Sequence, residues 1–173
     1  MDELPVQPGV YSLFLRVISP RMLEVGRFGH FEIPAGLFAY QGSAQGPGGL
    51  NARLGRHLRG NEKPHWHIDY LRAGSFVAGY VYFVYKAMDY QYPKLECTWN
   101  QVLTELSGAS VPVPGFGASD CKAGCLAHLV HISKNPALDN RLSRMLHEKL
   151  ASVLWNKNDD LCGSKLMFVR INS

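Results

Sequence analysis

The chain has 173 residues, a formal net charge of +4, 46% hydrophobic and 18% charged residues, and 17 glycines with 10 prolines. That composition supplies a sizeable core and many turns, and the length suits one ordinary domain, which excludes intrinsic disorder and a pair of full enzyme domains. The mildly basic balance says little until its position along the chain is considered.

The longest apolar run, residues 76–85, falls well short of the roughly 20 residues that a membrane-spanning helix needs. An acidic start with no apolar stretch behind it does not read as a secretion signal. Four cysteines are too few for a disulfide scaffold in a chain of this length, so thiols in a cytoplasmic protein are expected.

In chain order, Gly9–Val17 alternates and is rich in β-formers, and residues 22–25 and 31–33 flank Gly26 and Gly29, which predicts a strand followed by a hairpin. Residues 36–42 read as another strand and residues 43–49 as a glycine-rich loop. Leu50, Leu54 and Leu58 recur every fourth position, which predicts a helix over residues 50–58 with Gly60 as its stop and with Arg53 and His57 on a neighbouring stripe. Residues 76–85 are a continuous β-rich run, expected as a central strand, and Pro93 is placed as the first residue of a helix reaching about residue 106. Its inner face would be Leu95, Trp99, Val102 and Leu106, with Glu96 and Asn100 opposite and Glu96 favoured by the helix dipole. A loop over residues 107–120, an apolar stretch over 126–132, a helix over about 136–154 and a last strand over 165–171 follow. The mixture of mostly antiparallel strands and interspersed helices is that of an α+β domain, with residues 1–134 as its body and 135–173 as an extension packed on it.

The positive excess gathers at Arg53, Arg56, Arg59 and Lys63, with His57 and His65 beside them. A phosphate backbone would be attracted there, although on charge alone a solvated basic helix face is the simpler account.

Set side by side, Gly9-Val10-Tyr11, Tyr40-Gln41-Gly42 and the helix carrying Arg53 resemble the GIY-YIG nuclease family. Gln41 replaces an apolar residue of the second motif, and the 28 residues between Tyr11 and Tyr40 exceed the usual short turn, an excess the inserted hairpin explains. The strings Tyr40-Gln-Gly-Ser-Ala44, Arg53-Leu-Gly-Arg-His57, His65-Trp-His-Ile-Asp-Tyr70, Glu96-Cys97 and Gly115-Phe-Gly-Ala-Ser-Asp-Cys121 are closer to one branch, a domain of unknown function that also occurs fused to endonuclease III-type DNA glycosylases. The resemblance implies a three-stranded antiparallel sheet flanked by helices and phosphodiester cleavage with one divalent metal.

Under that resemblance Glu96 is the carboxylate for Mg²⁺ or Mn²⁺, which would polarise the phosphoryl oxygens and steady the leaving oxygen. Arg53 supplies a permanent, bidentate cation for charge building on the phosphate. Tyr11 and Tyr40 orient or activate the water, and His57, at a position that relatives fill with tyrosine or histidine, accepts its proton or holds a tyrosine as phenolate. Arg56, Arg59, Lys63, His65 and His67 are the expected nucleic-acid contacts, with Ser43, Asp69 and Asn100 in support.

Two further groups carry alternatives. A strand through residues 65–70 would align His65, His67 and Asp69 as metal ligands, against a phosphate-contacting patch or packed side chains, with Trp66 in the core. Cys121, Cys125 and His128 approach a zinc spacing, against packed thiols beside the active-site wall. The expected activity is a divalent-metal-dependent DNA endonuclease, with a DNA-repair protein as a candidate partner. The alternatives are a non-cleaving nucleic-acid-binding module of the same fold and a metal-dependent enzyme on a small phosphorylated substrate.

Overall fold

In a computed structural model, residues 3–60, 63–85, 94–155 and 166–171 are described. Pro93 and Cys162, on which a helix start and a free thiol were expected, lie outside them.

The chain alternates between strand and helix in the order β1 (Gly9–Val17), β2 (Arg21–Val25), β3 (Gly29–Ile33), β4 (Gly36–Ala44), α1 (Gly49–Arg59), α2 (His67–Arg72), β5 (Phe76–Val84), α3 (Leu95–Thr104), β6 (Leu129–Ser133), α4 (Asn140–Trp155) and β7 (Leu166–Arg170). Five strands form one antiparallel sheet in the order β6-β4-β1-β5-β7, and β2 with β3 forms a separate two-stranded hairpin. The α+β expectation holds. The expected triplet β4-β1-β5 is the centre of the sheet, and β6 and β7 extend it on either side. None of the described helices is long and apolar enough to cross a membrane.

Alternation along β1 and β4 sorts side chains to two faces. One core holds Tyr11, Leu13, Leu15, Phe38 and Tyr40 under α1, α2 and the hairpin. The other holds Val10, Phe14, Leu37 and Ala39 under α3 and α4. Tyr11 stands opposite Gly42, and Tyr40 opposite Leu13, so the two tyrosines are diagonal neighbours on one face. A Cβ on Gly42 would sit 2.4 Å from the Tyr11 ring, which is why the second motif ends in glycine.

Leu50 and Leu54 anchor α1 on that face, and Gly60 ends it with φ of 80°. The N–H groups of Leu50 and Asn51 donate to the carbonyls of Gln7 and Pro5, so the segment before β1 satisfies the helix start. On the far face Leu95, Trp99 and Leu103 are buried, and Trp99 Nε1 donates to the Leu150 carbonyl of α4 at 3.2 Å. Leu103 takes the place expected of Val102 and Leu106, which are only partly buried. Asn100 is also buried and donates to the Ala127 carbonyl at 2.7 Å, because this flank of α3 packs on the approach to β6.

The expected strand through residues 65–70 is instead a turn entering α2. Asp69 folds back so that its Oδ2 accepts the N–H groups of His65 and Trp66 at 2.8 and 3.0 Å, the way an acid in the first turn satisfies orphan donors. Among the described residues His65, His67 and Asp69 do not come together as a group that could hold a metal ion. Trp66, expected in the core, is 39% exposed, and the Arg53 guanidinium lies 4.5 Å from its ring centroid.

Candidate functional site

Two neighbouring strands and one helix bring Tyr11, Tyr40, Arg53 and His57 together. The His57 ring centroid is 6.0 Å from that of Tyr11 and 6.2 Å from that of Tyr40. Arg53 sits close to both phenol oxygens. Burial alone would lower the Arg53 pKa, but the two tyrosines opposite raise it, so the guanidinium stays charged. Burial raises the pKa of both phenols, so they are protonated at neutral pH.

His57 is fully buried, and burial pushes its pKa down to about 4, against the opposing pull of Asp69. It is therefore neutral at pH 7. Its Nδ1 lies 3.4 Å from Asp69 Oδ1, while Arg56 Nη2 donates to Asp69 Oδ2 at 2.6 Å. Burial would raise the Asp69 pKa, but the two backbone N–H groups and Arg56 hold it below the usual carboxylate range. Among the described residues, the Tyr11 hydroxyl and both His57 ring nitrogens are otherwise buried without a hydrogen bond.

Tyr40 and Arg53 open onto a cavity of about 250 Å³ whose far side carries Lys94, Glu96, Asp120 and Lys122. The cavity lies where β6 stops pairing at Tyr40, which leaves the β4 edge open at Gly42 and Ser43. Glu96, half-buried in the first turn of α3, has its pKa raised by burial and by Asp120, with Arg53 and Lys94 pulling the other way. A second cavity of about 270 Å³ shares Tyr40, Arg53, Gly117 and Asp120 with the first and is lined on its outer side by His65 and Trp66.

Beside Glu96 the chain gathers a separate group. One donor atom from each of Cys97, Cys121, Cys125 and His128 lies within 4.8 Å of the others, an arrangement that can hold a metal ion. Cys97 Sγ is 3.6 Å from both Cys121 Sγ and His128 Nε2, and Cys97, Cys121 and Cys125 are free thiols. Burial would raise the Cys121 pKa, but the N–H groups of Cys125 and Ala123 are directed at its sulfur and lower it. Packed thiols were the preferred expectation here. The structure adds Cys97, which lies 24 residues before Cys121, to the expected three donors, and the four together could hold a metal ion.

A family model described as a domain of unknown function, DUF123, matches residues 10–151. The chain belongs to the DUF123 family. No curated protein and no solved structure matched it. The DUF123 match runs from β1 into α4, and so takes in both cavities and the Cys97, Cys121, Cys125 and His128 group.

The expected site residues of this DUF123 chain divide into three sets. Tyr40, Arg53, Glu96 and Ser43 line the first cavity, and Tyr11 and His57 lie behind Arg53, with no exposed surface of consequence. Arg59, Lys63 and His65 are exposed, and of the three His65 lines the second cavity. Arg56 is engaged by Asp69 and lines neither cavity, whereas His67 lines the second cavity, accepts the Gly117 N–H at its Nδ1 at 3.0 Å and stacks on Phe28 at 4.4 Å. Asn100, one turn after Glu96 on α3, lines neither of these two cavities and is engaged by the Ala127 carbonyl. Sequence reasoning missed Gln41 as a cavity residue. It is fully buried opposite Ser12, and neither side chain has a hydrogen-bond partner among the described residues. Its departure from the apolar residue of the motif that this segment resembles was the available signal.

Proposed function

We propose that this DUF123 chain is a divalent-metal-dependent DNA endonuclease of the GIY-YIG type, acting as a cytoplasmic protein. The carrying observation is that Tyr40, Arg53 and Glu96, from three separate elements, line one cavity with Tyr11 and His57 directly behind. A scissile phosphate fits between the Arg53 guanidinium and the Glu96 carboxylate. Arg53 grips two phosphoryl oxygens and is held for that task by Trp66 and the two phenols. Glu96, with Asp120 in the same cavity, provides the hard oxygen donors that suit Mg²⁺ or Mn²⁺. That ion supplies charge neutralisation at the phosphate and the leaving oxygen.

Tyr40, protonated at neutral pH, orients the attacking water through its hydroxyl. A proton from that water reaches the neutral imidazole of His57 only by relay through Tyr40, whose hydroxyl would pass its own proton to His57 as it takes one from the water, and Asp69 beyond His57 would stabilise the imidazolium. Arg59, Lys63 and His65, all exposed, meet the flanking phosphates.

The Cys97, Cys121, Cys125 and His128 group is read as a zinc site. Three thiolates and one imidazole are a soft, closed donor set that suits zinc and does not suit magnesium.

A second reading, a non-cleaving nucleic-acid module, is favoured by one observation: Tyr11 and His57 have no direct access to the cavity. Incubation with supercoiled plasmid and with branched DNA, in Mg²⁺, Mn²⁺ or chelator, separates the two. Nicking that needs metal and disappears in Glu96→Ala is expected. Salt-dependent binding with no cleavage in either metal would give the second reading instead, and no binding at low salt would remove both.

A further inference from the structure

The acidic wall of the cavity and the thiol group are built from the same pieces of chain. Glu96 is followed by Cys97, and Asp120 by Cys121. His128 returns its carbonyl to the Gln41 N–H on β4 at 2.9 Å, one residue from Tyr40. Cys97, Cys121 and His128 all reach the wall of the first cavity. The four donors therefore tie the first turn of α3, the loop after Phe116 and the entry to β6 to one point.

The two ends of that loop are fastened, since the Gly117 N–H donates to His67 Nδ1, Asn100 of α3 donates to the Ala127 carbonyl and the Gln41 N–H donates to the His128 carbonyl. Between those ends residues 119–126 are exposed or half-buried, Gly124 has a positive φ, and the backbone bonds of residues 118–126 run within the loop or to Gly115. A disulfide does not account for the convergence. It would join two of the sulfurs at about 2.05 Å and leave one thiol and the imidazole without purpose, whereas all four donor atoms gather within 4.8 Å.

We propose that zinc bound by Cys97, Cys121, Cys125 and His128 is a latch that clamps the 117–128 loop onto the first turn of α3, and that this clamp sets Glu96 and Asp120 across the cavity from Arg53. The proposal rests on the zinc and cleft readings given above and deepens them, because it makes the competence of the cleft conditional on a metal that does not touch the substrate. Binding displaces the thiol protons to solvent, and the ion remains Zn²⁺ throughout, so no oxidant or reductant is required. The latch works by position. Cys97 is one residue from Glu96, so a metal bond at its sulfur fixes the start of α3, where Lys94 already takes a φ of 80°.

The test uses the full chain as purified, after zinc removal by a chelator, and after zinc is restored. Metal analysis reads the stoichiometry, Co²⁺ substitution reads thiolate ligation by its charge-transfer absorption, and hydrogen exchange reads the backbone. One zinc per chain is expected. Its removal should cost protection over residues 117–128 and equally over residues 95–98, with α1 and β1 unchanged and full recovery on adding zinc. Cys125→Ser, the donor that does not line the first cavity, should reproduce the stripped pattern if Cys97→Ser fails to fold.

Absence of bound metal with no thiolate band in Co²⁺, or loss of protection confined to the loop while residues 95–98 stay protected, would overturn the latch. A Mn²⁺ titration followed by electron paramagnetic resonance keeps the two readings apart. Zinc-loaded protein that shows the exchange pattern but binds no Mn²⁺ would uphold the latch and remove the Glu96 metal reading.

Discussion

The wall of the cleft that carries Tyr40 and Arg53 is cut from a nine-residue strand and an eleven-residue helix, whereas the wall that carries Glu96 and Asp120 comes from the first turn of α3 and a loop braced by three thiols and an imidazole. On the first wall, geometry follows from strand register and helix spacing. The two tyrosines share a face because β1 and β4 pair as they do, and Arg53 and His57 share a flank because they are four residues apart. On the second wall nothing local dictates position. It takes contacts between residues far apart in the chain to put a carboxylate opposite the guanidinium, so that wall is the one open to control by a ligand.

Substitutions should reveal that difference. The largest effect on stability is expected from Gly42→Ala on the strand-built wall, where the new Cβ would meet the Tyr11 ring at 2.4 Å with Arg53 and His57 packed behind it. Overpacking of that kind costs about 1–3 kcal/mol, and a fall in the denaturation midpoint with an unchanged m-value would show it. A Gly117→Ala variant on the loop-built wall adds a Cβ 2.7 Å from the Tyr40 ring at a φ of +69°. It should lose about 1–2 kcal/mol while disturbing substrate binding more than Gly42→Ala does per unit of stability lost. Equal ratios for the two variants would break the distinction between the walls.

The pH dependence of stability probes the interior of the first wall. His57 titrates at about 4 in the folded chain and near 6.5 when unfolded, so between these values the unfolded state binds the extra proton and stability falls as pH falls. That window is worth up to about 3 kcal/mol, and His57→Gln should flatten it. Asp69, whose folded pKa is depressed, adds a further loss only below about 4, as its carboxylate protonates. At neutral pH, Asp69→Asn should cost about 2 kcal/mol through weaker bonds to Arg56 and the two backbone N–H groups. The smallest effect is expected at the exposed C-terminal end of α1, where Arg59→Ala should weaken DNA binding uniformly across sequences and reduce the slope of log affinity against log salt by about 1.

The same contrast decides what was legible in the sequence. The first strand, the hairpin, the second strand and the helix with Leu50, Leu54, Arg53 and His57 could all be read because periodicity and glycine punctuation are local signals. Cys121, Cys125 and His128 could be read as a spacing, but Cys97 could not join them, because no pattern within eight residues points to a partner 24 positions away. Asp69 was placed with the wrong neighbours because the histidines beside it suggested strand alternation. The signal that would have found the helix is an acid three residues after Trp66, where it satisfies the orphan N–H groups of a helix start. Trp66 escaped the core through its contact with the Arg53 guanidinium, a long-range pairing that hydrophobicity alone does not anticipate.

The central claim is that the two walls form one phosphodiester-cleaving site, and single-turnover cleavage of DNA in Mg²⁺ by Arg53→Ala, Glu96→Ala and the double variant tests it most directly. Each single change should lower the rate by about 10²–10³, and the double variant should be scarcely slower than either, as for groups that act as a unit. A single variant that cleaves at the parent rate, or losses that simply multiply, would contradict the account.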